Sequence, residues 1–293
     1  DPLDRYRVYW SGLVVDDAVL SVWPDHVVVR EQVRAGQLPL WQPRQLGGAP
    51  LLANGMSAPL FPPSWISYLA PAAWGRAAML WLHLLLAGTA FYALLIDRGR
   101  RPCAALAGAT AYMLNPLFVV WLPYGTAVPV MGLMVLAILA LGRLGSSPRP
   151  WFVAAVVALL TALEFLAGGM QFVMNALLGQ AIATLWFVAR AGRNRRLHVA
   201  GWALAGTAVG VLAASAVVLP FLELAVNAAR SGDKYAGINF LPLKYLLAWV
   251  LPGFYGHPAR GDYVGGFLFF RPHATLFASP GCLVLGLAAI REK

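Results

Sequence analysis

The chain has 293 residues, 60% of them hydrophobic and only 12% charged, with a formal net charge of +10 and a mean hydropathy of +0.67. Soluble domains carry roughly a quarter of their residues as charges, so the composition excludes a water-soluble globular fold and indicates an integral membrane protein. The positive balance is not a nucleic-acid signal, because many of the cations collect in short loops between apolar stretches.

The first 75 residues form a segment of mixed character, with the adjacent acids Asp16 and Asp17 in "LVVDDAVLSVWPD" (13–25) and Asp25 just after Pro24. Adjacent aspartates cap helices or sit solvated in loops. At a membrane surface they also serve as a general base or as ligands of a divalent cation. Residue types alone leave both readings open. Residues 26–38, "HVVVREQVRAGQL", space their apolar side chains for a short amphipathic helix lying along the surface, with Gly36 near its end. The stretch that follows has Pro or Gly every few residues, which excludes a long helix or a central strand. Trp41, Phe61 and Trp65 favour an ordered lid at the interface over a disordered tether.

Seven apolar stretches follow, at 77–96, 103–122, 127–144, 151–167, 170–189, 199–222 and 275–290. Most approach the roughly 20 residues needed to cross the hydrocarbon core, and in lipid such stretches must be helices. Asn115-Pro116 predicts a kink or break in the second. The loops between them alternate. "DRGRRP" (97–102), "GRLGSSPRP" (142–150) and "RAGRNRRLH" (190–198) are basic, whereas "PYGTAVP" (123–129) and "LAGGMQ" (166–171) carry no cation. The positive-inside tendency puts the basic loops in the cytoplasm and residues 1–75, 123–126, 168–171 and 224–274 outside. The expected organisation is an outer segment 1–75, a helical core 76–223, an outer segment 224–274 and a final helix at 275–293. With residue 1 outside and no initiating Met, a preceding membrane crossing is expected, so the chain reads as a fragment of a longer protein.

Glu164 and Glu223 fall near the outer ends of predicted helices, where an ionisable group implies function or a buried pairing. Gln171 and His83 read as helix–helix hydrogen-bonding residues. The outer segment carries Arg230, Lys234, Lys244, His257, Arg260 and Arg271 against Asp233 and Asp262. Cations of this kind suit the phosphate of a lipid-linked substrate. The two cysteines, Cys103 and Cys282, lie at different membrane levels and are expected to remain unpaired. No Cys/His zinc spacing, phosphate loop or nucleophile elbow is present in the sequence.

Asp17 with Pro24 seven positions later, followed by "AGQLPLWQPRQLGGAPLLAN", resembles the first outer loop of the YfhO family of bacterial membrane proteins. "LAGGMQFVMNALLGQA", "VVLPFLELAVNAARSG", "LPGFYG" and "DYVGG" resemble later family segments in the same order, so the likeness covers essentially the whole chain. Ser21 and Gly169 stand where the family pattern has Gln and His. The resemblance implies a helical bundle of GT-C type that takes a sugar from a polyprenyl-phosphate donor at the outer face of a bacterial plasma membrane. The sugar passes to an envelope acceptor such as a teichoic-acid-like polymer. It further implies Asp17 as the catalytic acid-base group, with Asp16 assisting or binding a divalent metal. Arg230 is then the first donor-phosphate contact, followed by Lys234, Lys244 and Arg271. Asp25, Glu164, Gln171, Glu223 and His257 are the remaining candidate site residues. A lipid-linked-sugar flippase or transporter and a non-catalytic accessory protein are the alternatives.

Overall fold

In the computed structural model, residues 18–45, 47–228, 243–249, 251 and 254–256 are described. The chain divides into two compact units, one made of Val22–Leu114 and Trp121–Asn227, the other of the remaining segments. Among the described residues the regular structure is helical apart from one hairpin of two-residue strands, and the protein is an all-α polytopic membrane protein.

In the first unit, α1 (Trp23–Arg34) opens with Pro24 in its first turn, where a missing N–H costs nothing. It starts three residues before the predicted helix and stops four residues short of the predicted end at Leu38, with Gly36 at a positive φ of 71° just beyond it. A hairpin pairs β1 (Trp41–Gln42) with β2 (Ala49–Pro50). It leads through α2 (Leu51–Asn54) and a 3-10 turn, Pro62–Ser64, into α3 (Trp65–Leu69).

The long helices follow as α4 (Ala72–Asp97) and α5 (Pro102–Met113), then α7 (Ala127–Leu141), α8 (Pro150–Ala167), α9 (Met170–Arg190), α10 (Arg196–Ala213) and α11 (Ser215–Asn227). Among the described residues, five stretches are long and apolar enough to cross a membrane, among them Trp74–Asp97, Pro150–Ala167 and Met170–Arg190. The stretch Pro102–Tyr124 is broken where the sequence predicts it. There α6 (Pro116–Trp121), all but its last residue in the other unit, begins after Asn115, whose Oδ1 accepts a hydrogen bond from the Phe118 N–H at 3.0 Å. The predicted single helix at 199–222 is instead two helices, α10 and α11, separated at Ala214. Ala214 and Ser215 carry no Gly or Pro signal, so the sequence pattern runs through a turn set by packing.

Helix α7 is buried nearly all round and packs against α4, α8 and α9. That is the environment a uniformly apolar helix requires. Helix α10 lies closest to α8. Gly206 and Gly210 are spaced four apart, and a Cβ on either would come within 2.7 Å or 2.6 Å of the carbonyl oxygens of Ala154 and Ala158. Small residues at this spacing let two membrane helices approach backbone to backbone.

The three basic loops meet at one end of this unit. Arg143 reaches Asp97 at 2.9 Å, and the Arg195 Nη1 donates to the Gly145 carbonyl at 2.7 Å. The segment from α1 to α3 covers the opposite end.

Candidate functional site

The lid begins with a carboxylate that the sequence places just ahead of the predicted surface helix and that the structure puts on α1 and buries. Asp25 is only 2% exposed. Its Oδ1 accepts from Gln42 Nε2 and its Oδ2 from Asn54 Nδ2, each at 2.9 Å. Neither amide is free to turn over. Gln42 Oε1 accepts the Arg44 N–H at 3.1 Å and Asn54 Oδ1 the Met56 N–H at 2.9 Å, so both NH2 groups must point at Asp25. One carboxylate thereby ties α1, the hairpin and α2 together. Arg34 completes the frame from the last turn of α1 by donating to the Tyr68, Leu69 and Ala70 carbonyls at 3.1, 2.7 and 3.3 Å. Those oxygens are left over at the end of α3. Val28, Val29, Leu51 and Tyr68 fill the space beneath.

Under this frame lies a small cavity lined by His26, Ser57, Ser64, Tyr68, Arg76 and Tyr124, with room for little more than a water molecule. His26 is 3% exposed, with its ring stacked on Trp23 at 5.6 Å and tilted against Tyr68 at 4.9 Å. Burial, with help from the nearby Arg76 and Arg30 guanidiniums, holds its imidazole down at about 4, so it is neutral at pH 7. Burial likewise raises the Tyr68 phenol, whose hydroxyl donates to the Ser57 carbonyl. His26 Nε2 and Ser57 Oγ are buried without hydrogen-bond partners. A single polar atom entering the cavity could satisfy such groups.

Two cations stand at this end. Arg76, in the first turns of α4, sits over the Trp23 ring at 5.7 Å and donates to the Pro123 carbonyl. Arg30 has a buried Nη1 with no partner. Among the described residues no carboxylate pairs with either of them.

The lid is docked to the helices by backbone. The Gly169 N–H donates to the Gly55 carbonyl at 3.3 Å. Gly168 has φ +78 and ψ −166, and a side chain there would overlap the Gly55 oxygen. That backbone region is essentially restricted to glycine, so the "GGMQ" turn is shaped to receive the lid.

The other predicted site residues separate. Glu164 is fully buried, and both its oxygens lie 2.8 Å from Gln180 Nε2. It is the buried pairing foreseen as one of two readings. Gln171 is exposed in the first turn of α9. Nine residues turn a helix half-way round, so Gln180, not Gln171, faces inward. Glu223 is exposed on α11, away from any partner for its carboxylate among the described residues. His83 packs its ring against Phe61 of the lid at 5.7 Å, with neither ring nitrogen hydrogen-bonded, rather than linking two helices by a hydrogen bond. Lys244 falls in the 3-10 turn Leu243–Trp249. Asp16, Asp17, Arg230, Lys234, His257 and Arg271 lie outside the described residues, as do Cys282 and the predicted closing helix.

Sequence reasoning missed Arg30, Arg76 and Gln180. A cation in the first turns of a span, at the end lacking basic loops, was the available signal for Arg76. No three His, Cys, Asp or Glu among the described residues gather to hold a metal ion. Both oxygens of Asp25 are already engaged by Gln42 and Asn54. No protein-family model, curated protein or solved structure matches the chain.

Proposed function

We propose that the chain is a membrane glycosyltransferase of GT-C type, moving a sugar from a polyprenyl-phosphate donor to an envelope acceptor such as a teichoic-acid-like polymer. The reaction takes place at the lid-covered end, facing out of a bacterial plasma membrane. The observation that carries this reading is a pair of arginines without carboxylate partners among the described residues, Arg76 beneath the ordered lid and Arg30 on its first helix. The chain that forms this lid runs directly out of Asp16-Asp17. Unpaired guanidiniums in a partly dry site suit a phosphate leaving group, which they contact bidentately.

In this mechanism the acceptor hydroxyl oxygen attacks the anomeric carbon and its proton passes to the Asp17 carboxylate. The bond between that carbon and the phosphate oxygen breaks, and the lipid phosphate departs with the electron pair against the arginines. General-base help of this kind contributes roughly 100- to 10,000-fold. Asp25 serves as a strut and leaves proton transfer to Asp17. A cavity of water size admits no sugar, so the lid must lift for the donor and close over it, excluding water from the reaction.

The test is transfer by purified full-length protein. Asp17→Asn should abolish turnover with folding intact, and Arg76→Gln should raise KM for the donor. Wild-type-like turnover in the first variant would overturn the assignment of the base.

A second reading, a lipid-linked-sugar transporter, is favoured by Glu164 and Gln180, a buried polar pair between spanning helices. Sugar-lipid movement across vesicles without transfer, lost in Glu164→Gln, would select it.

A further inference from the structure

The end remote from the lid carries a second, larger cavity, about 420 Å³ in volume, that the transfer reaction does not use. Its wall comes from the ends of α4 and α9 and from the loops that follow α7 and α9, and it includes Arg98, Arg190 and Arg195 with Trp186 and Phe187. The single carboxylate present, Asp97, is occupied by Arg143 at 2.9 Å and lies 3.8 Å from Arg98. Arg190 and Arg195 have no acidic partner among the described residues. The guanidiniums are held in place by rings. Arg98 lies over Phe187 at 5.0 Å and Trp186 at 5.7 Å, and Arg190 lies over Trp186 at 4.6 Å. Gly142 makes the room, since a Cβ there would come within 3.0 Å of the Arg98 guanidinium and 3.1 Å of Phe187.

Below the cavity, Leu178, Ile182 and Leu185 point outward from α9 at helical spacing, 61%, 59% and 70% exposed, and lead up to Trp186 at 45%. A cationic pocket thus sits at the head of an exposed apolar stripe on a spanning helix. This is the arrangement that a phosphodiester headgroup and its acyl chain would fit together.

We infer that this cavity is a binding site for the phosphate headgroup of an anionic phospholipid, whose acyl chain lies along the Leu178–Leu185 face of α9. Free phosphate shares the headgroup chemistry but has no use for the stripe. The inference is independent of the chemistry at the lid.

Native mass spectrometry of the purified chain in detergent, with phosphatidylglycerol and phosphatidylcholine of matched acyl chains, tests it. The wild type should retain phosphatidylglycerol preferentially, and millimolar inorganic phosphate should not displace it. R98Q/R190Q should weaken retention about thirtyfold, at roughly 1 kcal/mol per arginine near a membrane surface. The control R100Q/R101Q removes the same charge from the same loop region outside the cavity and should change retention by less than about threefold. Equal retention of the two lipids by the wild type would overturn the proposal, as would equal losses in the two double variants. Displacement by inorganic phosphate would assign the pocket to a soluble anion instead. If R98Q/R190Q is not recovered folded, the wild-type lipid preference and the single R190Q decide the matter by the same criteria.

Discussion

Replacing Asp25 with Asn separates a strut from a catalyst. The carboxylate accepts two hydrogen bonds at 2.9 Å from amides whose own oxygens are occupied by the Arg44 and Met56 N–H groups. Asparagine keeps one acceptor and turns an NH2 toward the other donor, and neither Gln42 nor Asn54 can flip without opposing a backbone N–H. One charge-assisted bond is lost, at about 1.5–3 kcal/mol, and a buried donor is left facing a donor, so the lid should lose roughly 2–4 kcal/mol in all. Hydrogen exchange read by mass spectrometry reports local opening directly. Amides in residues 37–64 should exchange about 30- to 1000-fold faster in Asp25→Asn, with those of α7 and α8 unchanged. Wild-type exchange across the lid would refute the strut argument. If transfer activity were then lost as well, Asp25 itself would have to take part in the chemistry.

Three further outcomes follow from the same geometry. Gly168→Ala places a methyl into the Gly55 carbonyl from a glycine-only conformation, and should cost at least about 3 kcal/mol and undock the lid, read as a lower midpoint of thermal unfolding in micelles. A variant as stable as the wild type would mean that the turn relaxes without loss. Because His26 is held neutral, with a folded value of about 4 below the unfolded 6.5, its contribution is complete above pH 6.5. It is lost as pH falls toward 4, by about 3 kcal/mol. His26→Phe should flatten that part of the stability profile, and an unchanged slope would exclude His26 as its source. Glu164→Gln keeps an acceptor for Gln180 Nε2 and offers a donor to the unpartnered Gln180 Oε1, so stability should stay within about 1 kcal/mol. Glu164→Leu leaves a buried amide unpaired and should cost about 2–3 kcal/mol. The reverse order in thermal unfolding would contradict the pairing.

The sequence made the class plain, because apolar runs of spanning length tolerate only helices and the break at Asn115-Pro116 follows from the chemistry of proline. The short helix of the lid was legible to within three residues at its start and four at its end, since Pro24 lies in its first turn and Gly36 stops it. What escaped was whatever depends on a partner distant in the chain. Asp25 looked like a surface acid until Gln42 and Asn54, 17 and 29 residues away, enclosed it. Gln180 resembled any polar residue in a span, and only the crossing of α8 and α9 gives it Glu164. The turn at Ala214 has no residue-type signature. Glu223 and Gln171 are polar at helix ends like Glu164, but the fold turns them outward.

Helix α7 carries one more consequence, through its length. Its 15 residues extend about 22 Å at 1.5 Å per residue, against roughly 30 Å of hydrocarbon. With its basic end at one boundary, the helix stops some 8 Å short of the other, and the cavity wall at Tyr124 and Gly125 lies beside that recessed end. Under the proposed transfer reaction, a phosphate on a membrane-bound chain would meet the arginines there without its tail leaving the lipid, and an acceptor from the aqueous side would come down to meet it.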